Sequence, residues 1–342
     1  MTELAWLDQA GWKPATAGDF AFGEAMAEAA AAVHDTVVSP LLQLGAIRAA
    51  GADAESFLQN QLSNDLRQLG PARAQLSSYN SPKGRVLDLF ALRREGEAIL
   101  LETRRDTLPA SLKRLRMFVL RSKLVLEDVG DGGFALGLSG PDAGALLDRI
   151  GLSAPAQDWD YLAMDGVTVM RRPGSQTRFS LHAPPSRLQA LWPLLSAQAR
   201  PVGTAAWRLL EVLAGLPAIR PETADHFVAQ MLNLDQLGAI SFSKGCYPGQ
   251  EIVARMHYLG NLKRRMFLCR TEATEAVPGA DVFAEGAEGS AVGEVVHAAP
   301  HPEGGSALLA VLQLAHAEAP LRLGSAAGTP LSVIGRPAPA TD

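Results

Sequence analysis

The stretch LNLDQLGAISFSKGCYPGQEIVARMHYLGNLKR runs from Leu232 to Arg264, and the segment KGCYPGQE at its centre is unlike core sequence. This segment combines a cation, a thiol, a phenol, two glycines, a proline, an amide and an acid. The thiol is scarce, because Cys246 and Cys269 are the only two cysteines of the chain. A segment so rich in reactive and turn-forming groups is more typical of a functional site than of a structural element.

The local chemistry predicts that Cys246 is a reactive thiolate. Pro248 suits the first position of a helix, so we predict a helix from Pro248 to Tyr258. Cys246 would lie just before that N-terminus, where the helix dipole favours an anion, and Lys244 adds a positive charge. The alternative is an ordinary loop with a small apolar cysteine packed beneath it. We expect this second role for Cys269, which lies in the apolar run MFLC.

Composition narrows the possible classes of protein. A chain of 342 residues is expected to form two or three domains. Its net charge of −5 argues against a protein that binds nucleic acid mainly by neutralising phosphates. Two cysteines cannot supply a disulfide framework or a four-thiolate cluster. Because we find neither a secretory signal nor a membrane-spanning run, we expect a cytoplasmic protein with no membrane partner and no direct nucleic-acid partner.

The order of elements favours an α+β fold without the regular alternation of a doubly wound sheet. Apolar residues at helical spacing predict a helix over Ala54–Leu66, and a turn signal at residues 80–84 predicts a hairpin. After Arg265, short β-rich runs separated by Gly and Pro predict a small β-barrel or sandwich. We therefore expect domains at residues 1–130, 131–264 and 265–342.

Several motifs together resemble the YgfZ family, folate-binding relatives of the glycine-cleavage aminomethyltransferase (T-protein) that are linked to iron–sulfur cluster maintenance. The KGCYxGQE pattern resembles the segment specific to this branch. Gly51–Leu66, Pro82–Phe90 and Ala214–Pro217 resemble other family motifs in the expected order, so the resemblance covers nearly the whole chain. It implies a three-lobed aminomethyltransferase-like fold, with two α/β lobes and a C-terminal β-barrel around a central folate pocket.

Two departures from the T-protein pattern put aminomethyl transfer in doubt. T-proteins carry paired aspartates after the glycine-rich hairpin, whereas here Asp88 is followed by Leu89. Asp88 is a weak catalytic candidate, and its alternative role is that of a polar residue on the exposed face of a strand. The T-protein glutamate that pairs with the pterin is replaced by Leu213, and Glu211 lies more than half a helical turn away.

The resemblance implies tetrahydrofolate as the cofactor and indicates five candidate binding residues: Trp207, Lys244, Tyr247, Gln250 and Arg255. Trp207 could stack on an aromatic ring of the ligand, or it could simply be a partly buried helix residue. Arg255 could bind the carboxylates of the folate tail, or it could pair with Glu251 along the helix. The seven histidines form no metal-ligand spacing with a cysteine, so we expect no stably bound metal.

The sequence leaves three functions open. The leading hypothesis is a tetrahydrofolate-binding accessory protein for the assembly or repair of iron–sulfur clusters, with client or assembly proteins as partners. Cys246 would act as nucleophile, transient ligand or redox thiol, and any effect on tRNA modification would be indirect. The alternatives are a folate-dependent aminomethyltransferase or demethylase, and a non-enzymatic scaffold with a vestigial folate cleft. Whether the chain is an enzyme stays open, although we expect aminomethyltransferase activity to be lost.

Overall fold

The computed structural model describes residues 5–15, 19–260, 262–285, 287 and 289–337. The helices are α1 (Ala25–His34), α2 (Ala54–Gln59), α3 (Leu108–Met117), α4 (Ala143–Arg149), α5 (Pro185–Ser196), α6 (Thr204–Leu213) and α7 (Gln250–Tyr258). The strands are β1 (Lys13–Pro14), β2 (Phe20–Ala21), β3 (Val37–Pro40), β4 (Leu44–Ala50), β5 (Gln75–Asn80), β6 (Val86–Glu95), β7 (Ala98–Arg104), β8 (Val125–Asp128), β9 (Ala135–Ser139), β10 (Tyr161–Met164), β11 (Val167–Arg172), β12 (Arg178–His182), β13 (Arg200–Pro201), β14 (Arg264–Thr271), β15 (Asp281–Ala284), β16 (Ala291–Pro300), β17 (Ser306–Gln313), β18 (Leu321–Leu323) and β19 (Thr329–Gly335).

The first lobe is an antiparallel sheet of five strands in the order β5-β6-β7-β4-β8. One face of this sheet packs against α2 and α3 and forms a core that includes Phe57, Phe90 and Leu112. Side chains alternate between faces along a strand, so the next residues on these strands point away from the helices. Arg93 and Glu102 lie on that second face, which turns toward the centre of the molecule.

The second lobe is a six-stranded sheet in the order β10-β11-β12-β9-β3-β13. Its helix-covered face packs against α4 and α5, with Phe179 and Leu188 in the core. Strand β3 comes from the N-terminal part of the chain and lies between β9 and β13. The predicted boundary at residue 130 therefore does not separate the two sheets, because the second sheet takes a strand from the first 40 residues.

The third lobe is a closed barrel in the order β14-β17-β16-β15-β18-β19. Its interior holds Cys269, which is fully buried, as predicted from the apolar run around it. Together with the two sheet lobes, the barrel confirms the predicted α+β class with a C-terminal β-barrel. None of the helices in the described part of the chain is long and apolar enough to cross a membrane.

Two predicted helices have different bounds in the structure. The helix predicted over Ala54–Leu66 ends at Gln59, because the side chains of Ser63 and Asn64 form hydrogen bonds with the backbone of β5 instead of continuing the helix. The helix predicted from Pro248 begins at Gln250, because Gly249 adopts a left-handed φ of 77°. Cys246 therefore lies four residues before the first helical residue.

Candidate functional site

The loop around Cys246 holds an exposed thiol between two buried neighbours. Cys246 is exposed, whereas Lys244 and Tyr247 are 5% and 7% exposed. The Lys244 ammonium donates three hydrogen bonds to backbone carbonyl oxygens of the first lobe. The acceptors are Gln59, Leu62 and Asn64, at 2.6, 2.6 and 2.8 Å. The loop is therefore fixed to the first lobe at a point two residues from the thiol.

Burial also sets the protonation of the two neighbours. It lowers the pKa of Lys244 to about 8 and raises the pKa of Tyr247 to about 12. The Lys244 ammonium lies 5.3 Å from the centre of the Tyr247 ring, a cation–π distance. Because all its N–H groups are taken by carbonyls, Lys244 acts as an anchor of the loop.

The same loop packs against the hairpin turn between β5 and β6. A Cβ atom on Gly249 would lie 2.5 Å from the carbonyl oxygen of Ser81 and from the Cα of Gly84. Within the loop, the Gln250 amide donates to the carbonyl of Lys244 at 3.3 Å. Two motifs that are far apart in sequence, PKG and KGCYPGQE, therefore form one contiguous structure.

Asp88 is buried beneath α3, so its alternative assignment to an exposed strand face was wrong. It is 1% exposed, and its carboxylate accepts hydrogen bonds from the hydroxyls of Thr103, Thr107 and Ser111. Burial raises the pKa of Asp88 to about 6, although these hydrogen bonds oppose the shift. The neighbouring Leu89 points to the opposite face and, like Leu213 of α6, packs against the core that joins α6 to the barrel. Leucines thus stand at positions 89 and 213, where the T-protein pattern has a carboxylate.

The remaining predicted folate contacts lie apart from one another. Trp207 is 2% exposed and packs on the backbone of β9, where a Cβ on Gly137 would lie 2.5 Å from its ring. The Arg178 guanidinium lies 5.6 Å from the centre of the Trp207 ring. Arg255 is exposed on α7. The structure therefore brings Lys244, Tyr247 and Gln250 together in one loop, and it places Trp207 in the interior of another lobe.

A buried polar network joins the two sheets at the centre. Arg172 Nη2 donates to Glu102 Oε1 at 2.5 Å, and Arg172 Nε donates to Ser180 Oγ at 2.8 Å. Ser180 Oγ in turn lies 2.9 Å from His182 Nε2. Burial, together with the charges of Arg93 and Arg172, holds the pKa of His182 well below its usual range. The imidazole is therefore neutral, and it shares a hydrogen bond with the Ser180 hydroxyl through Nε2.

A pair of titratable side chains connects α6 with the barrel. Glu211 Oε2 lies 3.4 Å from His297 Nε2, and His297 is fully buried. Burial lowers the pKa of His297 to about 4, which leaves it neutral near pH 7. Burial would raise the pKa of Glu211, but His297 and the Arg178 charge outweigh this and lower it. Glu211 thus stays ionised at the junction of the second lobe and the barrel.

Several buried polar atoms around this centre have no hydrogen-bond partner among the described residues. Buried polar groups are normally paired, so a group of such atoms indicates room for a polar ligand or ordered water. They come from all three lobes and include both amide atoms of Asn80, Arg93 Nε, Glu102 Oε2, Arg178 Nε and Nη1, and His297 Nδ1.

A polar cavity of about 640 Å³ lies between the first two lobes, within the usual range for small-molecule sites. Trp159 is only partly buried there and has a left-handed φ of 68°, which is unusual for a bulky residue. Its ring lies 5.8 Å from the Arg172 guanidinium, so the cavity adjoins the central network. The residues that line the cavity include Arg73, Gln75, Leu76, Asp158, Trp159, Arg171 and Gly238.

Sequence reasoning did not identify this cavity. None of the five predicted folate contacts is among the described residues that line it. A signal was present, because Trp159 stands between two aspartates in QDWDY, which is not typical of a core tryptophan. The chemistry of the lining fits a folate, with an indole to stack on a ring, a carboxylate for pterin N–H groups and arginines for the tail carboxylates.

Comparisons with known proteins agree with this architecture. The model of the GCVT N-terminal domain family matches residues 4–242. A protein of Edwardsiella ictaluri named tRNA-modifying protein YgfZ is 31% identical over 271 residues, which is 78% of this chain and 81% of that protein. The protein of the same name from Colwellia psychrerythraea is 29% identical over 253 residues, covering 74% and 77% of the two chains.

The fold also matches a solved structure. The glycine cleavage system aminomethyltransferase T from Bartonella henselae superposes with a TM-score of 0.78 at 18% identity. The match covers 98% of this chain and 96% of that one. Three lobes of the same kind are therefore arranged in the same way in both molecules.

Proposed function

Because the chain belongs to the YgfZ-type branch of the T-protein-like family, we propose that it is a tetrahydrofolate-binding accessory protein for iron–sulfur cluster assembly or repair. In this proposal Cys246 is the functional thiol and binds a cluster in transit. The observation that carries the proposal is the exposed Cys246 on a loop held by buried Lys244. A thiol that must meet a partner's cluster needs to be accessible and held in place.

The cluster would be cargo, shared with a client or an assembly protein. In the described part of the chain, no three histidine, cysteine or acidic side chains gather in a way that could hold a metal ion. The other ligands of the cluster would thus come from the partner. The relatives named above are called tRNA-modifying proteins, and we propose an indirect link, through iron–sulfur enzymes that modify tRNA.

Tetrahydrofolate would occupy the cavity between the first two lobes. Trp159 would stack on an aromatic ring of the ligand, Asp158 would accept from pterin N–H groups, and Arg171 would bind a tail carboxylate. Tetrahydrofolate is a carrier of one-carbon units, but the proposal contains no transfer of such a unit. The buried position of Asp88 and the leucines at 89 and 213 argue against a carboxylate acting on the ligand.

Cellular complementation tests the role of the thiol. In a strain lacking the gene, the wild-type chain and Ser243→Ala should restore iron–sulfur enzyme activity under oxidative stress, whereas Cys246→Ala should not. Ser243 is a matched control, because it is exposed on the same loop. Full restoration by Cys246→Ala would refute the proposed role of the thiol.

Titration calorimetry tests the folate site. Tetrahydrofolate should bind the wild-type chain, and Trp159→Ala should weaken binding by about tenfold or more, since loss of one stacking aromatic removes on the order of 1–2 kcal/mol. Trp12→Ala is a control, because this tryptophan packs on Phe20 and lies outside the cavity lining. Equal loss in both variants, or no binding to the wild-type chain, would refute this site.

A further inference from the structure

A strongly basic surface with exposed apolar side chains extends from the C-terminal half of α3 to the start of β8. Residues 113–123 read KRLRMFVLRSK and contain five cations and no acid, in a chain whose net charge is −5. Met117 is 65% exposed, Leu120 is 88% exposed and Val125 is 56% exposed. We define the basic–apolar surface by its exposed members Lys113, Arg116, Met117, Phe118, Leu120, Arg121, Lys123 and Val125.

Leu120 is held outward at the tip of this surface. It has a φ of 46°, in the left-handed region that a leucine adopts only with strain. The turn that carries it is fixed, because the Lys123 N–H donates to Asp53 Oδ2 at 2.6 Å and Ser122 N–H donates to the Val119 carbonyl at 2.8 Å. A strained residue that projects an apolar side chain into solvent indicates a function beyond packing.

A cleft of about 740 Å³ lies directly beside Leu120. Its apolar wall is formed by Phe118 and Val119, and Arg121 and Asp53 border it. The Asp53 carboxylate accepts from the Lys123 N–H and so already has a partner. The cleft is therefore a shallow depression that is open to solvent and mainly apolar, with cations close by. This combination suits one apolar side chain of a partner together with flanking carboxylates.

From these features we infer that the basic–apolar surface docks an acidic segment of a partner protein. The partner's apolar side chain enters the cleft against Leu120, and its carboxylates pair with Lys113, Arg121 and Lys123. Arg116 contributes less, because its guanidinium already donates to the Leu126 carbonyl at 2.6 and 3.1 Å. The rest of the chain carries a net negative charge, so an acidic segment is attracted to this surface and repelled elsewhere.

Two other occupants fit the surface less well. Single-stranded RNA would need aromatic faces on which bases stack, but the most exposed side chains here are aliphatic, and the Arg114 guanidinium lies 5.8 Å from the centre of the Phe118 ring. An anionic bilayer is a broad surface that would also cover exposed Glu127 and Asp128 at the border, whereas a short acidic segment can contact Lys113, Arg121 and Lys123 alone.

The basic–apolar surface is connected through the first lobe to the loop that carries Cys246. The Arg114 guanidinium lies 6.0 Å from the centre of the Tyr79 ring, and Tyr79 pairs with Leu62 in an isolated β-bridge. The carbonyl of Leu62 is one of the acceptors of Lys244. A protein docked at this surface would therefore contact the lobe that mounts Cys246, although the inference does not depend on the role of the thiol.

Selection from a displayed random peptide library tests the inference. The full chain serves as bait, and enriched peptides are synthesised and titrated by fluorescence anisotropy. We expect peptides rich in Asp and Glu around one leucine or phenylalanine. Leu120→Gly, and separately the pair Arg121→Glu with Lys123→Glu, should weaken their binding by about tenfold or more. Leu120→Gly should fold normally, since glycine accepts the left-handed φ without strain.

Matched controls lie in the second lobe. The control for Leu120→Gly is Leu194→Ser, which removes another half-exposed leucine. Serine is chosen because Leu194 lies on α5, where a glycine would weaken the helix. The pair Arg149→Glu with Arg200→Glu repeats the charge change on exposed residues. Both controls should bind the peptides with unchanged affinity.

Four results would overturn the inference. Peptides that bind the surface variants as well as the wild-type chain would show that docking occurs elsewhere, and an absence of acidic peptides would show that charge does not select the partner. Binding of oligouridylate RNA or of phosphatidylserine vesicles that is lost in Leu120→Gly would assign the surface to RNA or to a membrane. Self-association that is lost in Leu120→Gly would identify a second copy of this chain as the occupant.

Discussion

Gly84 and Gly249 meet backbone to backbone, at a distance that leaves no room for a side chain on either residue. A Cβ on Gly249 would lie 2.5 Å from the Gly84 Cα, and a Cβ on Gly84 would lie 2.7 Å from the Ile252 Cβ. Both glycines also have positive φ angles, 71° and 77°. This contact holds the loop that carries Cys246 against the β5–β6 hairpin. It explains why PKG has a glycine at position 84 and KGCYPGQE has one at position 249.

Gly249→Ala should destabilise the chain by about 2–3 kcal/mol, because it adds left-handed strain and a backbone clash. The free energy of unfolding can be measured by urea denaturation. Gly245→Ala is the matched control in the same loop, since a Cβ at Gly245 would have no neighbour within 4 Å among the described residues. Equal stability of the two variants would show that the contact between the glycines is not tight in solution.

Lys244→Met should loosen the loop and destabilise the first lobe, because the carbonyls of Gln59, Leu62 and Asn64 lose their donor. We expect a loss of about 2–4 kcal/mol, since each buried acceptor left unpaired carries a penalty of about 1–3 kcal/mol and water can replace part of the donors. Hydrogen exchange of residues 243–248 should become faster. Lys263→Met, at an exposed lysine, should leave both measurements unchanged; unchanged exchange in Lys244→Met would contradict the anchoring role.

Asp88 should make the chain less stable as the pH rises from about 4 to about 6. Its pKa is raised by burial from 3.8 to about 6, so the folded state holds the proton more tightly than the unfolded state in this window. About 2–3 kcal/mol of stability should be lost across it, since one pKa unit corresponds to about 1.4 kcal/mol.

The comparison of Asp88→Asn with the wild-type chain isolates this effect. The variant should lack this part of the pH dependence and should be the more stable of the two at pH 7. Asp148→Asn, at an exposed aspartate, should retain the wild-type profile. If Asp88→Asn and wild type respond identically to pH, the carboxyl group does not titrate as its burial implies.

Glu102→Gln should destabilise the chain strongly, by about 3–5 kcal/mol, because Arg172 and Arg93 would keep buried charges without their carboxylate. Glu127→Gln is a control from strand β8 of the same sheet, where the residue is exposed. It should change the unfolding free energy by less than about 1 kcal/mol. A mild effect of Glu102→Gln would show that water penetrates the central network.

Sequence patterns predicted the local elements of this protein better than the site. The barrel after Arg265 follows from short β-rich runs with Gly and Pro between them, since these signals are local. The end of α2 at Gln59 was not predictable from periodicity, because Leu62 and Leu66 continue the apolar spacing. There, Ser63 and Asn64 bond to groups that are distant in sequence, and tertiary contacts override local propensity.

Residue roles at the candidate site depended on which face of a strand each side chain occupies. Asp88 and Leu89 are adjacent in sequence, yet one lies under α3 and the other points to the opposite face. Register and lobe packing decide this, and neither can be read from a single chain. Nothing in the sequence indicated that Lys244 anchors its loop. Its three carbonyl acceptors lie about 180 residues earlier in the chain, and backbone carbonyls carry no sequence signal.

The position of β3 inside the second sheet determines the order in which this chain can fold. Val37–Pro40 emerges early from the ribosome, but its antiparallel partner Ala135–Ser139 and its parallel partner Arg200–Pro201 are made much later. A strand that waits for its neighbours exposes an unpaired edge, which invites pairing with other nascent chains. The second sheet therefore cannot be completed until the ribosome has made Arg200–Pro201, however early its innermost N-terminal strand appears.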